Sequence, residues 1–79
     1  MIYIDKKGNM GWSHLIADSI HELHDFAIKI GLKPNWFQEK PEKPHYDVKG
    51  MMRKRAIESG AKEISTKEII KVLRENYQR

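Results

Sequence analysis

A chain of 79 residues with 39% apolar content builds one small core and one domain. It has no cysteine, which excludes a disulfide framework and a thiolate zinc site, and no apolar run approaches the ~20 residues of a membrane span. No secretory h-region is visible, so a cytoplasmic chain is expected. The formal charge is +4, and it is unevenly placed. Residues 1–40 carry five Lys/Arg and five Asp/Glu, whereas residues 41–79 carry ten and six. Lys49, Arg53, Lys54 and Arg55 fall within seven residues that contain no acid. Such a run is either a solvated helix face or an anion site.

Met1–Asp5 alternates Ile2 and Ile4 against Tyr3 and Asp5, the period of a short strand. Lys6–Asn9 is a turn, and Trp12–Ala17 reads as a hairpin partner with Trp12, His14 and Ile16 on one face. Ser19 and Glu22 match the S-x-x-E capping box, and Gly31 supplies a left-handed stop. Between them Ile20, Leu23, Phe26, Ala27 and Ile30 form an apolar stripe, with His24 on its rim and His21 and Asp25 toward water. Residues 33–47 contain three prolines and no periodicity; Trp36 and Phe37 are expected to tie this loop down.

Lys49–Ser59 predicts a second helix ended by Gly60. With Met52 taken as the centre of its inner face, Arg55 lies about 60° away and points inward, while Arg53 and Lys54 face solvent. Ala61–Ser65 reads as a short strand. Ser65 and Glu68 repeat the capping box, opening a third helix with Ile69, Ile70, Leu73 and Tyr77 on one face. The order β-β-α-loop-α-β-α predicts an α+β fold with a mixed sheet of three strands, or four if His45–Val48 joins. The single domain spans 1–79, with 66–79 as its C-terminal amphipathic helix.

His21-Glu22-Leu23-His24 does not have the H-E-x-x-H spacing of a zinc protease, and no residue is assigned as a metal ligand from the sequence. A spatial grouping has more content. His14, His24 and His45 are expected to converge with an inward Arg55 near the start of the second helix, where Lys49 and Gly50 stand. A guanidinium fork, imidazoles and a helix N-terminus suit an anion, and Trp36 or Tyr46 suits a flat ring. Asp47, two residues from His45, lies on the same side of a strand and can orient its imidazole for acid–base work.

The motifs Trp12-Ser13-His14-Leu15, Glu22-Leu23-His24, Trp36-Phe37-Gln38, Pro44-His45-Tyr46-Asp47-Val48 and Lys54-Arg55-Ala56 carry a resemblance. Over about residues 1–65 the chain resembles the small bacterial and phage family known as domain of unknown function 4031. The resemblance implies a stand-alone domain acting in a bacterial cytosol or an infected host cell, and it implies no activity. It picks out His14, His24, Gln38, His45, Tyr46, Asp47 and Arg55 as the polar residues within the family's motifs.

The leading expectation is a domain that binds a phosphate-bearing ligand, a nucleotide or nucleic-acid end, through His14, His24, Trp36, Gln38, His45, Tyr46, Lys49 and Arg55. One alternative is a metal-assisted phosphoester hydrolase built on the three histidines His14, His24 and His45 with Asp47, the catalytic candidates being His14, His45 and Asp47; another is a protein-interaction factor. Whether the domain is an enzyme, and with what cofactor, the sequence leaves open. A membrane partner is not expected. A homodimer would cover a sheet edge and two tryptophans.

Overall fold

The computed structural model describes residues 1–78, and its elements follow the order of the sequence reading, with His45–Val48 joining the sheet and one short strand added. Strands β1 (Ile2–Asp5) and β2 (Ser13–Ala17) form an antiparallel hairpin in which Ile4 faces Leu15 and Tyr3 faces Ile16. Helix α1 (Ile20–Ile30) follows. A short 3-10 turn (Pro34–Trp36) leads into β3 (Phe37–Gln38) and then β4 (His45–Val48). Helix α2 (Gly50–Glu58), β5 (Lys62–Ile64) and α3 (Thr66–Tyr77) complete the fold.

The sheet has five strands in the order β3-β4-β2-β1-β5, parallel only between β1 and β5. The class is α+β, with five strands where three or four were expected. The additional strand, β3, is two residues inside the proline-bearing loop, too short to show alternation. The His45–Val48 segment is integral: β4 lies between β3 and β2.

Alternation along the strands divides the core into two layers. On one face Ile2, Ile4, Leu15, Ala17, Tyr46 and Val48 pack against Leu23, Phe26, Ala27 and Ile30 of α1 and Ala56 of α2. On the other, Ile16 and Ile64 pack against Ile69 and Leu73 of α3. Burying each of these side chains contributes about 1.5–3 kcal/mol, so the four-residue second layer holds α3 by only a handful of contacts. Ile20 and Ile70, expected on inner faces, are half exposed.

The helix ends show what the sequence anticipated, with one change. Ser19 accepts the Glu22 N–H at 3.2 Å, and Gly31, at φ 92°, takes the left-handed conformation that ends α1. The Glu22 carboxylate is held by the Met1 ammonium instead of closing its box. Ser65 and Glu68 form the full reciprocal box, at 3.1 and 3.2 Å. Among the described residues no helix is long and apolar enough to cross a membrane.

The second helix corrects the sequence reading. Its buried residues are Arg53 and Ala56, while Met51, Lys54 and Arg55 are exposed. Centred on Ala56 instead of Met52, the inner arc contains Arg53 about 60° to one side and leaves Arg55 about 100° to the other. The methionines mark the wrong centre because apolarity alone takes no account of an arginine held by three acceptors. Arg53 donates from Nε to Ser13 Oγ at 2.8 Å, from Nη2 to the Asp5 carbonyl at 3.3 Å, and pairs with Glu63. It staples α2 to the ends of β1 and β2. Arg55 makes one long contact, Nη1 to the Ile30 carbonyl at 3.5 Å.

Candidate functional site

The register of β2 against β4 decides which sequence candidates meet. Ser13 faces Val48, His14 faces Asp47 and Leu15 faces Tyr46. Because residues alternate, His14, His45 and Asp47 share the α3 side of the sheet, whereas Tyr46 and Val48 share the α1 side. The expected convergence of His14, His24, His45 and Arg55 therefore does not occur. His24 lies behind the sheet, its Nδ1 2.8 Å from the Tyr46 hydroxyl and its ring edge-on to Phe37 at 4.6 Å. Tyr46 is 2% exposed and cannot stack on a ligand; burial pushes its phenol pKa up. Tyr46 is a core residue, and the half-buried His24 is its partner on the α1 side.

The remaining candidates apart from Arg55 fall into two cavities that meet at Asp47. The first, about 390 Å³, opens between the segment that follows α1 and the start of α2. Its lining includes Trp12, Asn35, Trp36, Gln38, Lys49 and Met52. Trp12 and Trp36 are 43% and 42% exposed, although indoles are highly buried on average. The Lys49 ammonium sits 4.7 Å from the centre of the Trp12 ring, and Lys33 5.6 Å from that of Trp36, within cation–π range. Lys49 is the N-cap of α2 and makes no side-chain cap, so its charge adds to the unpaired N–H groups of the helix start.

The second cavity, about 330 Å³, lies between the sheet and α3. Polar groups line it on one side (His14, His45, Asp47, Lys40, Lys43), and Ile16, Ile69 and Leu73 close the other. Asp5, buried at the end of β1, accepts the backbone N–H of His14 at 2.7 Å and faces the His14 Nδ1 at 2.8 Å. The His45 Nδ1 lies 2.7 Å from the Lys43 carbonyl. The His45 Nε2 is 3.3 Å from Asp47, and the two imidazole centres are 5.2 Å apart. One donor atom from each of His14, His45 and Asp47 lies within 4.8 Å of the others. No other such group of three occurs among the described residues.

Of the residues named from sequence, Trp36, Gln38 and Lys49 meet in the first cavity, and His14, His45 and Asp47 in the second. Arg55 joins neither. Sequence reasoning missed Asp5, Trp12, Asn35, Lys40 and Lys43. For Asp5 a signal existed: continuing the hairpin register that pairs Ile4 with Leu15 puts Asp5 beside His14. Lys40 and Lys43 lie in the aperiodic loop, where spacing carries no such information.

The fold and its two cavities define a small α+β domain with a mixed five-stranded sheet between two helical layers. The family model for the protein of unknown function DUF4031 matches residues 2–76, nearly the whole chain including α3, and the protein belongs to that family. No curated protein and no solved structure matches it.

Proposed function

We propose that the domain binds a phosphate-bearing ligand with a flat ring, a single nucleotide unit, in the cavity between Trp12, Trp36 and the start of α2. One observation carries this reading: two half-exposed indoles share a cavity with the cationic N-cap of a helix. A volume of about 390 Å³ is near the lower end of the ~300–1,000 Å³ of small-molecule sites, which suits one nucleotide better than a longer chain. The base stacks on Trp36, and the Asn35 and Gln38 amides offer donors and acceptors to its edge. Lys49 and the helix start neutralise the phosphate. Arg55, Tyr46 and His24 have no part in it.

Titration calorimetry with the four nucleoside monophosphates, and with the matching nucleosides, tests the proposal. Trp36→Ala is expected to lose about 1–3 kcal/mol of binding, the usual contribution of one stacked base. Lys49→Ala is expected to weaken nucleotides but not nucleosides, and Arg55→Ala to bind as the parent does. Binding that is absent, or unchanged in Trp36→Ala, refutes it. Hydrolysis is a second reading, favoured by the His14–His45–Asp47 group that adjoins this cavity through Asp47.

A further inference from the structure

The hydrogen bonds around the two histidines constrain their free nitrogens. The partner of the His45 Nδ1 is a backbone carbonyl, which only accepts, so that nitrogen carries a proton and donates. The His14 Nδ1 faces the Asp5 carboxylate, an acceptor, and likewise donates. In each ring that leaves Nε2 as the nitrogen available to a ligand. The His45 Nε2 lies 3.3 Å from an Asp47 carboxylate oxygen, a spacing that a shared cation, a proton or a metal, holds together. Imidazoles fixed at Nδ1 by a carboxylate and a carbonyl, with Nε2 left free, have the outer-shell arrangement of metal-ligating histidines.

We propose that His14, His45 and Asp47 bind one divalent first-row transition metal, with Asp5 as the residue that positions His14. Two imidazoles and one carboxylate suit zinc, cobalt or iron better than magnesium or calcium, which take oxygen ligands. Metal–ligand bonds of ~2.0–2.1 Å place neighbouring ligands about 3–3.5 Å apart. Donors already within 4.8 Å reach that spacing by small side-chain rotations, and β2 and β4 supply the rigid base. Three protein ligands leave the metal open toward the cavity, where Lys40 and Lys43 favour an anion or water in the remaining position. The inference is independent of nucleotide binding, since the metal alone is the probe.

Untagged protein titrated with Co²⁺, followed by its visible absorption, and with Zn²⁺ in competition, decides the matter. The parent is expected to take up one equivalent of metal with the visible bands of nitrogen–oxygen coordination. His14→Gln is expected to abolish that uptake; its side chain is 53% exposed, and thermal melting of the metal-free variant checks that it folds as the parent does. Asp5→Asn is expected to weaken binding about 10–100-fold with the same bands, the effect of losing an outer-shell partner. His21→Gln, at an exposed His–Asp pair on α1, is expected to bind as the parent. No uptake by the parent, or uptake lost in His21→Gln and kept in His14→Gln, overturns the site. Unchanged affinity in Asp5→Asn overturns the role given to Asp5.

Discussion

Replacing Arg53 by Met is the most informative single perturbation of this fold. Methionine keeps most of the aliphatic bulk but none of the five donors, so the change isolates the polar contacts. The guanidinium binds the Ser13 hydroxyl, the Asp5 carbonyl and the Glu63 carboxylate. Glu63 is 43% exposed, so its pair with Arg53 is discounted to the ~0–1 kcal/mol of a solvent-screened ion pair. Ser13 is fully buried, and stranding its hydroxyl and the neighbouring carbonyl costs about 1–3 kcal/mol for each, not fully additively. A total of about 2–4 kcal/mol follows. A domain of this size has about 4–12 kcal/mol of stability in all. At about 4–8 °C per kcal/mol, the melting temperature should fall by roughly 10–30 °C. The matched control is Arg55→Ala, which removes an exposed side chain with one 3.5 Å contact and should change stability by no more than about 0.5 kcal/mol. Urea denaturation of both variants gives the comparison. If Arg55→Ala is the more destabilising, or Arg53→Met is neutral, the assignment of α2's inner face is wrong.

Two further predictions come from contacts remote from the cavities. Tyr46→Phe removes the hydroxyl that meets His24 and should cost about 1–2 kcal/mol in urea denaturation, while cobalt uptake stays unchanged because the hydroxyl lies on the α1 side of the sheet. Two hydrogen bonds from Ser65, backbone and side chain, hold the Glu68 carboxyl below its usual pKa of 4.5. A lowered folded pKa means stability is present above the unfolded value and lost as pH falls through the folded one, so α3 should loosen below about pH 4.5. In Glu68→Gln that part of the acid sensitivity, read by circular dichroism, should disappear.

Local chemistry was legible in the sequence where one residue acts on its own neighbourhood. Ser19, Gly31, Ser65 and Glu68 cap helices through atoms no more than four residues away, and each does what its spacing indicates. The β1–β2 hairpin was legible for the same reason. Strand β3 was not, because two residues in an aperiodic loop become a strand only when β4 offers them a partner. Arg53 was misread because its three acceptors are 10, 40 and 48 positions away, and helical phase alone does not reveal them. The candidate site divided along the same line. His45 and Asp47 share a face by strand alternation, and that was readable. His24 was placed on the rim of its helix correctly, but that rim meets Tyr46 behind the sheet, and only the sheet's position relative to α1 determines this.

The position of α3 has a consequence for the order of events during synthesis. Of the described elements β5 and α3 come last along the chain, yet β5 pairs with β1, the earliest of them, and α3 forms one wall of the histidine cavity. Until they arrive, Tyr3 and Ile16 on that side of the hairpin lack their covering layer. Any species that bridges the sheet and α3 therefore binds only once α3 has docked, and by linkage draws the helix down onto the sheet. For such a species, occupancy of the cavity and closure of the fold are one equilibrium, read from two ends.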